Sequence, residues 1–326
     1  MPGLALGVLL ASGCGPKSPA ASREKSIPVT LETDWYPEAE HGGFYQALDR
    51  GFYRDVGLDV TIAPGGPNTH PIVELAVGHA QFAIAASDDV IEQAEQGLPF
   101  LIVGAFMERY PEAVLVHEES PVHSFKDLDG RTIIGVPGTG WISHVQQKYG
   151  IRINVVPVAF ELTRFMGNKD TIQQVYLTNE PYFVKKNGVK ARTLYISETG
   201  YDPYRVIITT HAFAKAHPDV VRDFVAASNK GWNDFIFGDA SPGRKQVMDR
   251  NHEVAAEYFN ASLDIMRKEH LIDGLADRHE HIGALSLARL QDEIDLLARI
   301  KFIRAAFPVE RVATDAFLPP ELRVKP

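Results

Sequence analysis

The chain has 326 residues, 45% hydrophobic and 23% charged, enough to bury a large core in two lobes and too apolar for a disordered chain. Asp and Glu outnumber Lys and Arg by 42 to 33, a formal net charge of −9, so there is no basic stripe to track a nucleic-acid backbone and no nucleic-acid partner is expected. The single cysteine, Cys14, excludes a disulfide framework, a cysteine-built zinc site and a cysteine nucleophile in the body of the chain.

The chain opens with "LALGVLLASGC", a run of small and aliphatic residues ending at Cys14, followed by the polar "GPKSPAASREKS". This resembles a bacterial lipoprotein signal, which implies a lipidated Cys14, a tether over residues 1–26 and a lipid-anchored, extracytoplasmic body (periplasmic, or on the outer face of the cytoplasmic membrane). Ala11 stands where that pattern usually has Leu, and no Lys or Arg precedes the run, which leaves room for a start further upstream. No later run reaches the roughly 20 apolar residues of a membrane helix, so the lipid is the only membrane contact expected.

Beyond the tether, "IPVTLETDW" reads as a buried strand and "GGFYQALDRGFYRDVG" as a helix, with Phe44, Tyr45, Leu48 and Phe52 near helical spacing and Gly57 as its stop. "LDVTIAPGG" is a strand and turn, and "NTHPIVELAVGHA" a helix with Asn68 or Thr69 as N-cap and Pro71 in its first turn. Strand "QFAIAAS", helix "DDVIEQAEQG" and strands "PFLIVGAFM" and "EAVLVH" follow, and the polar "HEESPVH" suggests a passage between lobes. A second set reads strand "RTIIGV", helix "WISHVQQKYG", strand "INVVPVAF", helix "TRFMGNKDTIQQ", strand "VYLTN", helix "EPYFVKKNG" and strand "ARTLYIS". After "YRVIITTHAF" helices dominate, with Pro218 dividing residues 211–238. Strands alternating with helices predict a parallel α/β sheet, with ligands at the carboxyl ends of its strands.

"DWYPEAEHGGFY", residues 34–45, follows the first strand. Trp35 and Tyr36 offer flat faces, Glu38, Glu40 and His41 hydrogen-bonding groups, and Gly42 and Gly43 room for backbone to approach a ligand or to start the helix closely. The combination suits a flat, polar, nitrogen-containing ligand.

"DWYPEAEHGGFYQALDRGFYRDVGLDVTIAPGGP" resembles the start of the periplasmic substrate-binding proteins of ABC importers, in the branch related to thiamine-pyrimidine, sulfonate, taurine and nitrate binding. Ala47, Gly51, Phe52, Tyr53, Gly57, Leu58 and Val60 fit the frame of its first helix and second strand. "ELAVGHAQFAIAASDDVIEQAEQGLPFLIVGAF", "FKDLDGRTIIGVPG", "VYLTNEPYFVKKNGV" and "HPDVVRDFVAASNKGWNDF" extend the likeness to roughly residues 27–240. The resemblance implies a type II periplasmic-binding-protein-like α/β fold: lobe 1 from 27–117 plus 209–326, lobe 2 from 118–208, each a mostly parallel sheet flanked by helices. A ligand is clamped in the cleft without chemistry, and the lobes close by a hinge motion. It also implies ABC permease and ATPase subunits as partners, with the chain itself a monomer.

Within that frame the candidate contacts sit at strand ends. Ser87 and Asp88 follow one strand, Asp88 either capping the next helix or accepting from a ligand amine. Phe106, Arg109 and Tyr110 follow another. Thr139, Gly140 and Trp141 sit at a Gly-rich helix start that would favour an anionic or electron-rich group. Trp141 would face Trp35 in an aromatic sandwich. Asn179, Glu180 and Tyr182 lie in "LTNEPYF", where the resembling family often has an acidic-Pro-aromatic step facing the cleft, and Tyr201, Asp202 and Tyr204 lie near the second crossing.

Aromatics and carboxylates outnumber basic groups in this set. It favours a neutral or cationic heteroaromatic, such as a thiamine-pyrimidine precursor, over a sulfonate, taurine or nitrate, with a flavin as a further alternative. No cofactor and no metal are expected: "RHEHIG" sets His279 and His281 on different helix faces, and HExxH and GxSxG are absent. The same resemblance extends to fungal-type thiamine-pyrimidine synthase, an enzyme with a Cys-rich iron-associated motif and a lysine-bound pyridoxal phosphate. The lack of any cysteine after Cys14 argues for a binding protein and against that enzyme.

Overall fold

The computed structural model describes residues 26–67, 69–158, 162–278 and 280–324; Cys14 with nearly all of the tether, and Asn68 and His279, lie outside them. Two five-stranded sheets carry the fold. The first begins with β1 (Ile27–Glu32), α1 (Gly42–Arg50), α2 (Phe52–Asp55), β2 (Leu58–Ala63), α3 (Pro71–Ala76), β3 (Phe82–Ala86), α4 (Ser87–Glu95) and β4 (Phe100–Met107). β3 inside the sheet and β4 at its edge are buried at every position, as strands covered on both faces must be. α1 buries Phe44, Tyr45 and Ala47 and stops at Gly51, whose φ of 77° is left-handed. α3 starts at Pro71 with His70 as N-cap and no side-chain cap bond, so Thr69 does not cap it.

The second sheet is built from β5 (Glu112–His117), β6 (Thr132–Gly135), β7 (Asn154–Pro157), β8 (Ile172–Tyr176) and β9 (Ala191–Tyr195), with α5 (Gly140–Tyr149), α6 (Thr163–Gly167) and α7 (Glu180–Lys186) between them. The expected helix "TRFMGNKDTIQQ" is only α6. Asn168 turns the chain by accepting from the Asp170 amide at 3.0 Å, and "IQQVY" then extends as β8, pairing with β5. β10 (Arg205–Thr210) returns to the first sheet, followed by α8 (His211–Ala216), α9 (Pro218–Phe237), α10 (Ser241–Arg250), α11 (Ala256–Lys268) and α12 (Leu287–Arg299).

The strand orders are β2-β1-β3-β10-β4 and β7-β6-β8-β5-β9. β10 is antiparallel to both neighbours, and so is β5, so each sheet is mixed, not wholly parallel. The chain therefore changes sheet between Met107 and Glu112, short of "HEESPVH", and returns between Tyr195 and Arg205. This is the two-lobed periplasmic-binding-protein fold. α9 packs along α1 so closely that a Cβ on Gly231 would lie 2.4 Å from the Gly43 carbonyl oxygen.

Candidate functional site

A cavity of about 520 Å³ opens between the two sheets, within the usual size of small-molecule sites. The first sheet supplies its upper wall. β1 ends before the loop Asp34–His41, and Asp34, Trp35, Glu38, Glu40 and His41 all line the space. The second sheet supplies the floor from Glu112 at the start of β5, Gln174 and Tyr176 on β8, and Asn179, Glu180 and Phe183 around α7. Leu162, the N-cap of α6, and Met166 within α6 add an apolar side.

Asp34 is the anchored anion of the site. It pairs with the buried Arg205 and accepts from the His41 ring Nε2 at 3.1 Å. Burial opposes its charge, but Arg205 and His41 outweigh that and hold its carboxyl at about 2. The bond to Asp34 places the His41 proton on Nε2, so in neutral His41 the buried Nδ1 is an acceptor with no hydrogen-bond partner among the described residues.

The other carboxyls behave oppositely. Glu38 accepts from Asn179 Nδ2 at 3.2 Å and from the Tyr258 hydroxyl at 3.1 Å. Burial, with Glu40 and Glu180 nearby, still pushes it up to about 9. Glu40 is raised by burial although the Thr178 hydroxyl donates to its Oε1, and its buried Oε2 has no hydrogen-bond partner among the described residues. Glu112 and Glu180 are pushed up to about 7, chiefly by burial. Among the described residues, five carboxyls therefore line one cavity, and the strong cation beside them, Arg205, is committed to Asp34. Such a lining receives N–H donors or positive charge.

Of the residues singled out from the sequence, Trp35, Glu38, Glu40, His41, Asn179 and Glu180 line this cavity, while Tyr36, Gly42, Ser87, Asp88, Phe106, Arg109, Thr139, Gly140, Trp141, Tyr182 and Tyr201 do not. Tyr36 is half-exposed beside it, edge-on to Trp35 at 5.5 Å. Gly42 packs under Phe235, where a Cβ would lie 2.1 Å from the ring, so its small size serves helix packing. Ser87 donates to Glu293 at 2.8 Å, and Asp88 accepts from the Tyr201 hydroxyl, which occupies both Asp88 and Tyr201 in a buried bond. Phe106 is core, stacked on Trp232 at 5.7 Å.

At the start of α5, Thr139 donates to the Val136 carbonyl at 3.2 Å, Gly140 sits against the Tyr201 hydroxyl, and Trp141 is fully buried, so it cannot pair with Trp35 across a ligand. Tyr182 packs on Tyr258 at 5.4 Å while its neighbour Phe183 faces the cavity. Arg109 is held by the Glu269 carbonyl at 3.3 Å and by Ser197 at 3.2 Å. Sequence reasoning missed Glu112, Gln174, Tyr176 and Phe183. The available signal was a charged or amide side chain inside an otherwise apolar strand, in "EAVLVH" and "IQQVY".

The chain matches the family model described as NMT1/THI5 like over residues 38–237, and it belongs to that family. It is similar to a formylaminopyrimidine-binding protein of Halalkalibacterium halodurans, 27% identical over 242 residues that cover 70% of this chain and 72% of the other. It is also similar to a riboflavin-binding protein of Chloroflexus aurantiacus, 26% identical over 236 residues, covering 67% and 66%. In fold it resembles the alkanesulfonate-binding protein SsuA of Xanthomonas axonopodis pv. citri, with a TM-score of 0.65 and 15% identity over 89% of this chain and 99% of that one. Among the described residues no helix is long and apolar enough to cross a membrane.

Proposed function

We propose that the chain is the solute-binding component of an ABC importer and captures a small heteroaromatic bearing amino or cationic nitrogen, of the thiamine-pyrimidine-precursor kind. The observation that supports this reading is the pair of buried acceptors, Glu40 Oε2 and His41 Nδ1, without a hydrogen-bond partner among the described residues, on a cavity that five described carboxyls line with Trp35 at its edge. An exocyclic amine or a protonated ring nitrogen would supply the missing donors, and Trp35 a face for stacking. The similarity to a formylaminopyrimidine-binding protein supports the same class. A sulfonate, taurine or nitrate would have to displace Asp34 from Arg205 and sit among carboxyls.

Titration calorimetry with formylaminopyrimidine, riboflavin, taurine and nitrate tests the reading. Binding of formylaminopyrimidine, weakened about 10-fold by Trp35→Ala through lost stacking of about 1–3 kcal/mol, is expected. Binding of anions alone would overturn it. A lysine imine spectrum on adding pyridoxal phosphate and iron would favour the synthase. Cys14 is proposed as the lipid-bearing residue of the tether, and Cys14→Ala is expected to move the protein from the membrane fraction to the soluble one.

A further inference from the structure

α11 lies outside the lining of the cavity, apart from the bond of Tyr258 to Glu38, yet it is bonded to both lobes. It is anchored to the first: Arg267 Nε donates to the Ile236 carbonyl at 2.8 Å, and Phe259 stands edge-on to Phe235 at 5.9 Å. One turn apart on its other face are Tyr258 and Ser262. The Tyr258 hydroxyl donates to Glu38 Oε2, while its ring packs on Phe183 at 4.8 Å and Tyr182 at 5.4 Å in the second lobe. Ser262 Oγ donates to the Thr178 carbonyl at 2.7 Å, and the Thr178 hydroxyl in turn donates to Glu40.

Both residues are buried, so these bonds form in a dry contact where geometry is strictly held. A helix fixed to one lobe thus grips the β8–α7 turn of the other and, by the same two side chains, orients Glu38 and Glu40, two of the four glutamates that line the cavity. We propose that α11 is a strap across the cleft, with Tyr258 and Ser262 as positioning residues that hold Glu38 and Glu40 toward the ligand and favour the closed arrangement of the lobes. The positioning half of this inference rests on the proposed ligand site; the strap does not.

Tyr258→Phe keeps the ring packing and removes one hydrogen bond, and Ser262→Ala removes the other, with Ser262→Thr as the conservative rescue. In stopped-flow binding of formylaminopyrimidine, each loss is expected to raise the dissociation rate about 3- to 10-fold with the association rate little changed, as for one hydrogen bond of ordinary worth. Ser262→Thr should restore the wild-type rate, and the melting temperature of Tyr258→Phe should stay near wild type. Without ligand, X-ray scattering of the Tyr258→Phe/Ser262→Ala variant is expected to give a larger radius of gyration than wild type. An unchanged radius overturns the strap, and an unchanged dissociation rate overturns the positioning roles. If wild type fails to bind formylaminopyrimidine, the ligand reading and the positioning roles fall together, and the scattering comparison alone decides the strap.

Discussion

Glu40 spends one carboxyl oxygen on Thr178 and leaves the other buried without a hydrogen-bond partner among the described residues, an arrangement that costs free energy in the empty protein and that a donor from the proposed ligand would relieve. The neighbouring carboxyls carry the same tension as raised affinities for protons: Glu112 and Glu180 at about 7 and Glu38 at about 9, against an ordinary 4.5. Between pH 4.5 and 7 the folded, empty protein therefore holds protons that the unfolded chain has released. The contribution of these three carboxyls to stability should be fully present below about 4.5 and be lost as pH rises through 7 and, for Glu38, through 9, whereas that of Asp34, held at about 2, is present at higher pH and lost as pH falls toward 2. A ligand that donates N–H bonds or brings positive charge favours the ionised carboxylates, so its binding should expel protons and tighten as pH rises from 5 to 8. Calorimetry at pH 6.5 in two buffers of different ionisation enthalpy measures this directly. Proton uptake on binding of a ligand that does not itself ionise between pH 5 and 8 would contradict the acidic-cage account.

Helix contacts in this fold are set by residues too small to announce themselves. α1 and α9 meet through Gly43 and Gly231, and a Cβ on Gly43 would stand 2.0 Å from the Trp232 ring. Gly43→Ala should cost about 1–3 kcal/mol in urea denaturation through overpacking; a loss below 0.5 kcal/mol would show that Trp232 can yield. The order of most strands and helices was legible in the sequence because apolar periodicity of 2 and 3.6 survives in isolated segments. The segment "TRFMGNKDTIQQ" departs from that pattern because Gln173 and Gln174 suit a helix locally, and only pairing with β5 and β6 makes this stretch a strand. The same limit governed the site. The loop bearing Trp35, Glu38 and His41 was legible as an unusual cluster, whereas Ser87, Asp88 and Trp141 sit at equally suitable strand ends but turn into buried bonds or core. Direction of a side chain at a strand end depends on what packs behind it, which no local pattern carries.

At the scale of the whole molecule, the two crossings between the sheets are tied by one side chain from the C-terminal helix. Arg289 on α12 donates to the Glu108 carbonyl at 2.7 Å, just after β4, and to the Asp202 carbonyl at 2.6 Å, just before β10. Its other nitrogen reaches Glu280 at 2.8 Å, and its guanidinium lies 3.8 Å from the centre of the Tyr204 ring. Glu108 beside it is fully buried, with neither carboxyl oxygen hydrogen-bonded, and burial pushes its proton affinity well up even with Arg289 3.9 Å away. Replacing Arg289 by Met would strand two nearly buried acids and unlink two backbone segments at once. The expected cost is about 3–5 kcal/mol, the range for removing one partner of a buried ion cluster. Lysine should not rescue it, because a single ammonium cannot span both carbonyls and Glu280 with the planar fork that guanidinium provides. If the cost comes from stranded charge, Glu108→Gln combined with Arg289→Met should recover part of it. If the backbone link dominates, the double variant should be as unstable as Arg289→Met alone, and chemical denaturation of the three variants separates the two causes.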